Sequence, residues 1–244
     1  MTNSTERTVF KVGVGGPVGS GKTALIEALV PMVIERGFSP VVVTNDIYTQ
    51  LDAEHVRSAL DGILSADRVV GVETGSCPHT AVRDDPTANI AAMDELIEKF
   101  PDADLLFLES GGDNLTLTFS PTLVDAYIFV IDVAEGDDIP RKKGPGITHS
   151  DLLVINKVDL APYVRVNLDV MRSGAEAARP DGQPWVMTNS LTGDGLDEVL
   201  AFIVETSKSG RSEEVRQLLD ALPPHDHSHD HDHHHTHEHA HSHA

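Results

Sequence analysis

A glycine-rich octapeptide near the amino terminus is the first group of residues with an evident chemical use. It consists of Gly16, Pro17, Val18, Gly19, Ser20, Gly21, Lys22 and Thr23. The octapeptide fits the phosphate-binding pattern G-x-x-x-x-G-K-[ST], and it lies between an apolar run and a helix-forming segment. In that setting backbone N–H groups bind phosphate oxygens, Lys22 reaches the β- and γ-phosphates, and Thr23 ligates Mg²⁺. The octapeptide therefore predicts a nucleoside triphosphate site.

Two acidic residues stand where a magnesium-side carboxylate is expected. Glu109 ends the apolar run Leu105–Leu108, which is the placement of a Walker-B carboxylate, although Asp is more usual there. Asp46 follows the run Val41–Thr44, and parallel sheets bind ligands at the carboxyl ends of their strands. A turn or helix-capping role is the alternative for Asp46. We expect Lys22, Asp46 and Glu109 to act at the reacting phosphate, with Asp46 and Thr23 as magnesium ligands.

The tetrapeptide Asn156–Asp159 reads Asn-Lys-Val-Asp and follows an apolar run directly, as the guanine-reading N-K-x-D signature of GTPases does. The Asp159 carboxylate accepts from the N1–H and 2-amino groups of guanine, whereas adenine offers neither donor and leaves the charge unpaired. Lys157 covers the base, and Asn156 ties the tetrapeptide to the phosphate loop. Ser190 has the place of a weaker serine motif that supports guanine. These residues predict GTP as the nucleotide.

The segment Cys77-Pro78-His79 presents a thiolate and an imidazole two residues apart, and Cys77 is the single cysteine of the chain. A small buried thiol is the alternative for Cys77. A closed metal site generally needs four ligands, so one copy of the segment supplies only half. Two copies across a two-fold axis give two sulfurs and two nitrogens, which suits square-planar Ni²⁺ or tetrahedral Zn²⁺. The segment therefore predicts a homodimer formed on metal.

The carboxyl-terminal residues differ in composition from the rest of the chain. After Pro223 and Pro224, residues 225–244 contain eleven of the fourteen histidines, interspersed with acids and hydroxyls. This composition cannot form a core, so we expect a disordered tail that holds nickel, zinc or copper with low affinity. A purification tag is the alternative, but tags are normally unbroken histidine runs. The predicted tail ligands are His225, His227, His229, His231 and His233. The expected division is a nucleotide-binding domain over 1–222 and a tail over 223–244.

The elements that position these residues follow an alternating pattern. Seven apolar runs predict strands: Val9–Val14, Val41–Thr44, Val69–Val72, Leu105–Leu108, Ala126–Val133, Leu152–Ile155 and Trp185–Thr188. Helices are predicted at Thr23–Arg36, Pro86–Phe100 (with Asp85 as N-cap), Leu196–Lys208 and Ser212–Leu222. Such alternation is typical of an α/β P-loop fold, a mostly parallel sheet of about seven strands flanked by helices.

Charge and hydropathy exclude several functions. The formal net charge is -21 and the isoelectric point is near 4.8, so the field of the chain repels nucleic acid and anionic membranes. No apolar run reaches membrane-spanning length, and the first residues lack an apolar signal core. We therefore expect a cytoplasmic protein that binds neither nucleic acid nor membrane.

Taken in order, four segments closely resemble the urease accessory GTPases of the SIMIBI class. The segments are Gly16–Thr23, Val72–Thr80, Glu109–Leu115 and Asn156–Asp159, and the resemblance covers about residues 8–208. It implies a GTPase that dimerises on GTP and nickel and carries Ni²⁺ to apo-urease with other urease accessory proteins. It also implies that Lys22, Thr23 and Asp46 act at the phosphates and Mg²⁺. Cys77 and His79 are implied as nickel ligands, and Glu73 and Glu109 as relays between the two sites.

Three other functions fit part of the pattern. A hydrogenase-maturation nickel GTPase shares this logic, but the single cysteine and the carboxyl-terminal histidine tract disfavour it. A small-molecule kinase explains the phosphate loop but not Asn156–Asp159. A non-enzymatic nickel store explains the tail but leaves the folded part without a use. Because no glutamine follows Gly111-Gly112 to orient water, we expect slow intrinsic hydrolysis.

Overall fold

The computed structural model describes residues 9–46, 51–73, 80–112, 115, 118–120, 122–179 and 182–209. Cys77, His79, the predicted helix Ser212–Leu222 and the histidine-rich residues lie outside these ranges. Within them, every helix is too short or too polar to span a lipid bilayer.

Seven parallel strands form one sheet in the order β3-β2-β4-β1-β5-β6-β7. The strands are β1 (Phe10–Gly15), β2 (Pro40–Asp46), β3 (Val69–Glu73), β4 (Leu105–Glu109), β5 (Ala126–Asp132), β6 (Leu152–Asn156) and β7 (Trp185–Met187). This sheet confirms the predicted fold. The strands could be predicted because strands that are covered on both faces read as continuous apolar runs. The observed ends differ from the predicted ones by one or two residues, and polar residues such as Asp46, Glu109 and Asn156 extend the ladder past the apolar run.

Seven α-helices lie in the described ranges. They are α1 (Lys22–Glu35), α2 (Leu51–Ala59), α3 (Thr87–Lys99), α4 (Pro145–His149), α5 (Ala161–Val164), α6 (Leu168–Ala178) and α7 (Leu196–Ser209). The sequence patterns missed α2, α4, α5 and α6, of which α4 and α5 are only five and four residues long. The predicted start of α3 was wrong by one residue. Pro86 is its N-cap, while the Asp85 carboxylate accepts from the Thr87 N–H at 3.3 Å.

Two apolar layers hold the sheet between the helices. One layer joins α1, α2 and α7 to one face, with Leu29, Phe107 and Ile203 fully buried in it. The other layer joins α3 and α6 to the opposite face, with Leu106 and Met171 among its buried members. Burying this much apolar surface is the main stabilising contribution to the fold. The sheet is therefore a rigid platform whose carboxyl edge is available to hold polar groups.

Strand register brings polar residues together at that edge. In the ladder Thr44 is paired with Glu109, Asp46 with Glu73, and Asp132 with Asn156. The central strand β1 leads directly into the glycine-rich octapeptide. Parallel sheets bind ligands outside the carboxyl ends of their strands, so this edge is where a site is expected.

Candidate nucleotide-binding site

The phosphate loop, residues 16–23, connects β1 to α1 in a conformation that needs glycine. Gly16 and Gly21 have positive φ angles of 147° and 95°. A Cβ atom on Gly16 would lie 2.0 Å from the Val130 carbonyl oxygen, and one on Gly21 would lie 2.4 Å from Asn156 Nδ2. Both contacts are too short for real atoms, so the loop approaches β5 and β6 closely only because these positions lack side chains.

Lys22 begins α1 and lies against the phosphate loop. Its side chain is largely buried, with the whole residue 6% exposed, and Nζ donates to the Pro17 carbonyl oxygen at 3.0 Å. The ammonium therefore already lies within the loop that is expected to surround the phosphates. At this position it is a fixed positive charge at the N-terminus of a helix, where anions bind favourably.

Thr23 and Glu109 meet on the other side of the loop. The Thr23 hydroxyl donates to Glu109 Oε1 at 2.7 Å, although the two residues are 86 positions apart in sequence. Glu109 is 2% exposed, and its second oxygen, Oε2, has no hydrogen-bond partner among the described residues. Burial raises the pKa of Glu109 to about 7, against the opposing influence of the Lys22 charge and the Thr23 hydrogen bond. The carboxylate is thus held in a position that disfavours its own charge.

This arrangement fits a magnesium ion. Mg²⁺ prefers hard oxygen ligands and usually binds through one or two protein groups together with water and phosphate oxygens. Thr23 supplies a hydroxyl, and Glu109 supplies a buried carboxylate with one oxygen unpaired. The structure shows no position for the Asp46 side chain, so its predicted role as a magnesium ligand stays a prediction.

A buried amide chain links the Glu109 strand to the residues after the Cys77–His79 segment. Asn45 Nδ2 donates to the Glu109 carbonyl oxygen at 2.8 Å. Asn89 Nδ2 donates both to Asn45 Oδ1 at 3.0 Å and to the Ala81 carbonyl oxygen at 2.9 Å. Asn45 and Asn89 are both 0% exposed. Sequence reasoning missed this chain, since neither asparagine belongs to a motif.

Asn156 connects the tetrapeptide Asn156–Asp159 to its neighbours on two sides. Its Nδ2 donates to the Ser20 carbonyl oxygen of the phosphate loop at 3.1 Å. Its Oδ1 accepts from the Thr188 hydroxyl at 3.1 Å and from the Ser190 N–H and hydroxyl at 3.2 and 3.1 Å. Because Asn156 is 1% exposed, these bonds satisfy an amide that would otherwise be costly to bury. The phosphate loop, the tetrapeptide and the Ser190 loop are therefore fixed relative to one another.

Lys157 lies across the space between the tetrapeptide and the phosphate loop. Its Nζ donates to the Gly19 carbonyl oxygen and, at 3.1 Å, to Asp132 Oδ2. The backbone of Lys157 is left-handed, with φ of 60°. Asp132 was not among the predicted site residues, and the only signal in the sequence is its place at the end of an apolar run.

A cavity of about 180 Å³ lies beside this tetrapeptide. Gly21, Asn156, Lys157, Asp159 and Ser190 are among its lining residues. The volume is below the roughly 300 Å³ at which whole-ligand pockets begin, so it suits one part of a nucleotide, such as the base. Asp159 is exposed, and it is one of the residues that line the cavity.

The predicted transition-metal ligands are not among the described residues. Cys77, His79 and the tail ligands His225, His227, His229, His231 and His233 all lie outside them. In the ranges that the structure describes, no group of three or more histidine, cysteine, aspartate and glutamate side chains is placed to hold a metal ion. The predicted nickel ligands therefore stay a prediction.

Comparisons with known proteins agree with this geometry. The family model "CobW/HypB/UreG, nucleotide-binding domain" matches residues 10–184. Urease accessory protein UreG 2 of Streptomyces griseus is 63% identical over 200 residues, which cover 82% of this chain and 88% of that protein. UreG of Yersinia enterocolitica is 56% identical over 205 residues, covering 83% and 92% of the two chains.

Two solved structures share the fold. HypB from Helicobacter pylori in complex with nickel has a TM-score of 0.67 at 21% identity, covering 83% of this chain and 89% of that one. The hydrogenase maturation factor HypB from Archaeoglobus fulgidus has a TM-score of 0.61 at 26% identity, covering 82% and 90%. Identity to the UreG proteins is thus far higher than to the hydrogenase-maturation proteins.

Fold and site together define a P-loop protein with a nucleotide-binding domain. The chain belongs to the CobW/HypB/UreG family and, within it, to the urease accessory UreG proteins.

Proposed function

We propose that this chain is a GTP-hydrolysing metallochaperone that binds Ni²⁺ between two copies and delivers it for maturation of the urease active site. The observation that carries the proposal is the joined site, in which Asn156 fixes the guanine-reading tetrapeptide to the phosphate loop beside a base-sized cavity. Membership of the urease accessory UreG proteins supports urease as the destination. Other urease accessory proteins and apo-urease are the proposed partners, and the cytoplasm is the proposed compartment.

Guanine selection rests on the charge of Asp159. Its carboxylate accepts from the two donors on the Watson–Crick edge of guanine, and adenine would leave that charge without partners. Asn156, Lys157 and Ser190 support the base from three sides of the cavity, which agrees with their positions in its lining.

Hydrolysis uses the residues around Lys22. Lys22 would bind the β- and γ-phosphates. Thr23 and Asp46 would hold Mg²⁺, which would neutralise charge on the phosphate oxygens. Glu109, with one buried oxygen unpaired, would orient the attacking water. We expect turnover by the isolated chain to be slow, because in the sequence no glutamine follows Gly111-Gly112 to orient water.

Nickel is bound by Cys77 and His79 from each of two copies, so one ion serves two chains. Two described connections support coupling between the proposed nickel site and the nucleotide site. Glu73 ends β3 beside Asp46, directly before the segment that contains Cys77. The Asn45–Asn89 amide chain joins the Glu109 backbone to Ala81, two positions after His79.

Residues 1–222 form the proposed nucleotide-binding domain. Residues 223–244 form a separate reserve for metal ions, which exchange among many imidazoles of modest affinity. Zn²⁺ is a competing ion for the shared cysteine–histidine site, because the same ligands satisfy tetrahedral geometry.

The test is native mass and metal content measured with Mg²⁺, GTP and Ni²⁺ added singly and together. A chain ending at Leu222 removes the tail background, and we expect one Ni²⁺ per dimer only when GTP and Mg²⁺ are present. Cys77→Ala in this shortened chain abolishes nickel-driven dimerisation and leaves GTP binding unchanged. A shortened Cys77→Ala chain that still dimerises on nickel with the same affinity contradicts the shared site.

A further inference from the structure

Asp132 ends β5 and is 4% exposed, although an ionised carboxylate is costly to bury without partners. Its neighbour in the parallel ladder is Asn156, the first residue of the guanine-reading tetrapeptide. We propose that Asp132 is a positioning residue for nucleotide binding, which holds Lys157 beside the base cavity and against the phosphate loop. This inference rests on the proposed binding of guanine nucleotides.

The ammonium of Lys157 has two anchors on different elements. Nζ donates to Asp132 Oδ2 at 3.1 Å and to the Gly19 carbonyl oxygen of the phosphate loop. The Lys157 side chain is one-third exposed, at 33%, and it lines the base cavity. A free lysine side chain has many rotamers, so two anchors at its end remove conformational freedom before the nucleotide arrives. The entropic cost of ordering Lys157 is therefore part of the free energy of folding and does not reduce the free energy of nucleotide binding.

The Asp132 carboxylate is itself fixed by the turn that follows β5. Its Oδ1 accepts from the Ala134 N–H at 2.6 Å, and the Asp132 N–H donates to Glu135 Oε1 at 3.3 Å, which makes a capping box. The two carboxylate oxygens therefore have separate tasks. One oxygen caps the turn, and the other faces Lys157.

The backbone of Lys157 also needs external support. Its φ of 60° lies in the left-handed region, which is unfavourable for a residue with a side chain. Such conformations persist where surrounding contacts determine them. Described interactions hold this residue at both ends: Asp132 and Gly19 contact the end of the side chain, and the Leu160 N–H donates to the Lys157 carbonyl oxygen at 2.9 Å.

Charge balance gives Asp132 a second reason to be paired. A nucleoside triphosphate is strongly anionic, and an unpaired carboxylate near the phosphate loop would repel it. The Lys157 ammonium neutralises Asp132 at 3.1 Å. Removing Lys157 alone should therefore weaken nucleotide binding for two reasons. The nucleotide loses its contact with Lys157, and the Asp132 charge is left uncompensated.

The first experiment is Asp132→Asn in the full chain, with fluorescent GTP and GDP titrated against wild type. The Asn side-chain oxygen still caps the Ala134 N–H, but its amide group presents N–H donors to the ammonium instead of an acceptor. We expect affinity for both nucleotides to fall about tenfold, the usual scale for a hydrogen bond to a charged group. Preference for guanine over xanthine stays unchanged, because Asp159 reads the base. Unchanged affinity overturns the inference.

A double-mutant cycle with Lys157→Met separates positioning from general destabilisation. In the Lys157→Met background, Asp132→Asn should have no harmful effect on affinity or should improve it, since no ammonium is left to hold. The same tenfold loss in both backgrounds overturns the inference, because Asp132 would then act through the fold and not through Lys157.

Two further variants control for charge and folding. Asp138→Asn removes one acid from the same connecting segment, where Asp138 is exposed and paired with Arg141, and should leave affinity unchanged. An equal loss in Asp138→Asn would assign the effect to net charge and overturn the inference. If Asp132→Asn does not fold, Asp132→Ser keeps a capping hydroxyl and takes its place in the cycle.

The wild-type titration distinguishes failure of this inference from failure of the proposed function. Wild type that prefers ATP to GTP contradicts the guanine assignment itself. Wild type that prefers GTP, with no coupling between Asp132 and Lys157, leaves the assignment intact and removes only the positioning role.

Discussion

The two ends of the nucleotide site differ in how completely their buried polar groups are paired. At the base end, Asn156 makes four hydrogen bonds to the Ser20, Thr188 and Ser190 segments. At the phosphate end, four buried oxygens have no partner among the described residues. These are Ser20 Oγ, Thr44 Oγ1, Glu109 Oε2 and Ser110 Oγ.

This difference shows that folding alone pairs the buried polar groups at the base end, whereas those at the phosphate end need a ligand. Buried polar groups are normally satisfied, so an unpaired set at one edge of a sheet marks a place where water, an ion or a ligand completes the structure. The base end is preorganised. The phosphate end keeps a carboxylate oxygen and hydroxyls unpaired, which fits the proposed magnesium ion, at a cost to the stability of the free protein.

The largest expected effect is at the preorganised end. Asp159→Asn should lower GTP affinity and permit xanthosine triphosphate, whose 2-oxo group accepts from the new amide. We expect the ratio of the two affinities to change by at least about 10³-fold, the scale on which polar pockets reject a mismatched partner. Competition binding with both nucleotides measures it. Asp194→Asn, an exposed acid in the neighbouring loop, is the matched control, and an unchanged ratio in Asp159→Asn would show that another residue reads the base.

The second largest expected effect comes from removing the Asn156 side chain and its hydrogen bonds. Asn156→Ala leaves the Ser20 carbonyl and the Thr188 and Ser190 donors unmatched in a buried place. The free energy of unfolding should fall by about 3 kcal/mol, since several buried groups lose partners together. Chemical denaturation without nucleotide measures this. A loss below about 1 kcal/mol would mean that the base end is not held by these bonds in solution.

Glu109→Gln tests whether the unpaired oxygen at the phosphate end serves magnesium and water. The amide is nearly isosteric and neutral, so nucleotide should still bind. GTP hydrolysis in the presence of Mg²⁺ should fall about 100-fold, in the range for removing one electrostatic group from an active site. Single-turnover release of phosphate is the measurement. Glu205→Gln, an exposed position on α7, should hydrolyse GTP at the wild-type rate, and equal rates for both variants would exclude Glu109 from the reaction.

The smallest expected effect concerns Thr44. Its hydroxyl is unpaired and the residue is 1% exposed, so Thr44→Val exchanges an unsatisfied polar group for a methyl group of similar volume. The free protein should become more stable by up to about 1 kcal/mol, because the cost of burying the hydroxyl is removed. Thermal denaturation of the nucleotide-free chain measures this. A clear loss of stability would show that the Thr44 hydroxyl is already hydrogen-bonded in solution. The two ends of the site would then differ less in how completely their buried polar groups are paired.

Most of the fold could be read from the chain. Continuous apolar runs marked all seven strands, because a parallel sheet covered on both faces buries nearly every residue of each strand. The helices α2, α4, α5 and α6 were not predicted, since short segments with small or polar faces carry a weak periodic signal. The site motifs were equally visible, because the phosphate loop and Asn156–Asp159 are contiguous and each performs one local task. The roles of Asp46, Cys77 and His79 stay predictions.

The sequence by itself determined which strands form and which loops carry the phosphate-binding and base-reading motifs, because those properties depend on neighbours in the chain. Only the tertiary structure decided that Glu109 lies against Thr23, that Asn89 reaches Asn45, and that Asp132 holds Lys157. Each of these contacts joins residues between 25 and 86 positions apart. Strand order and register bring such residues together, and no local spacing encodes them, because the distance between two strand ends is set by the packing of the whole sheet.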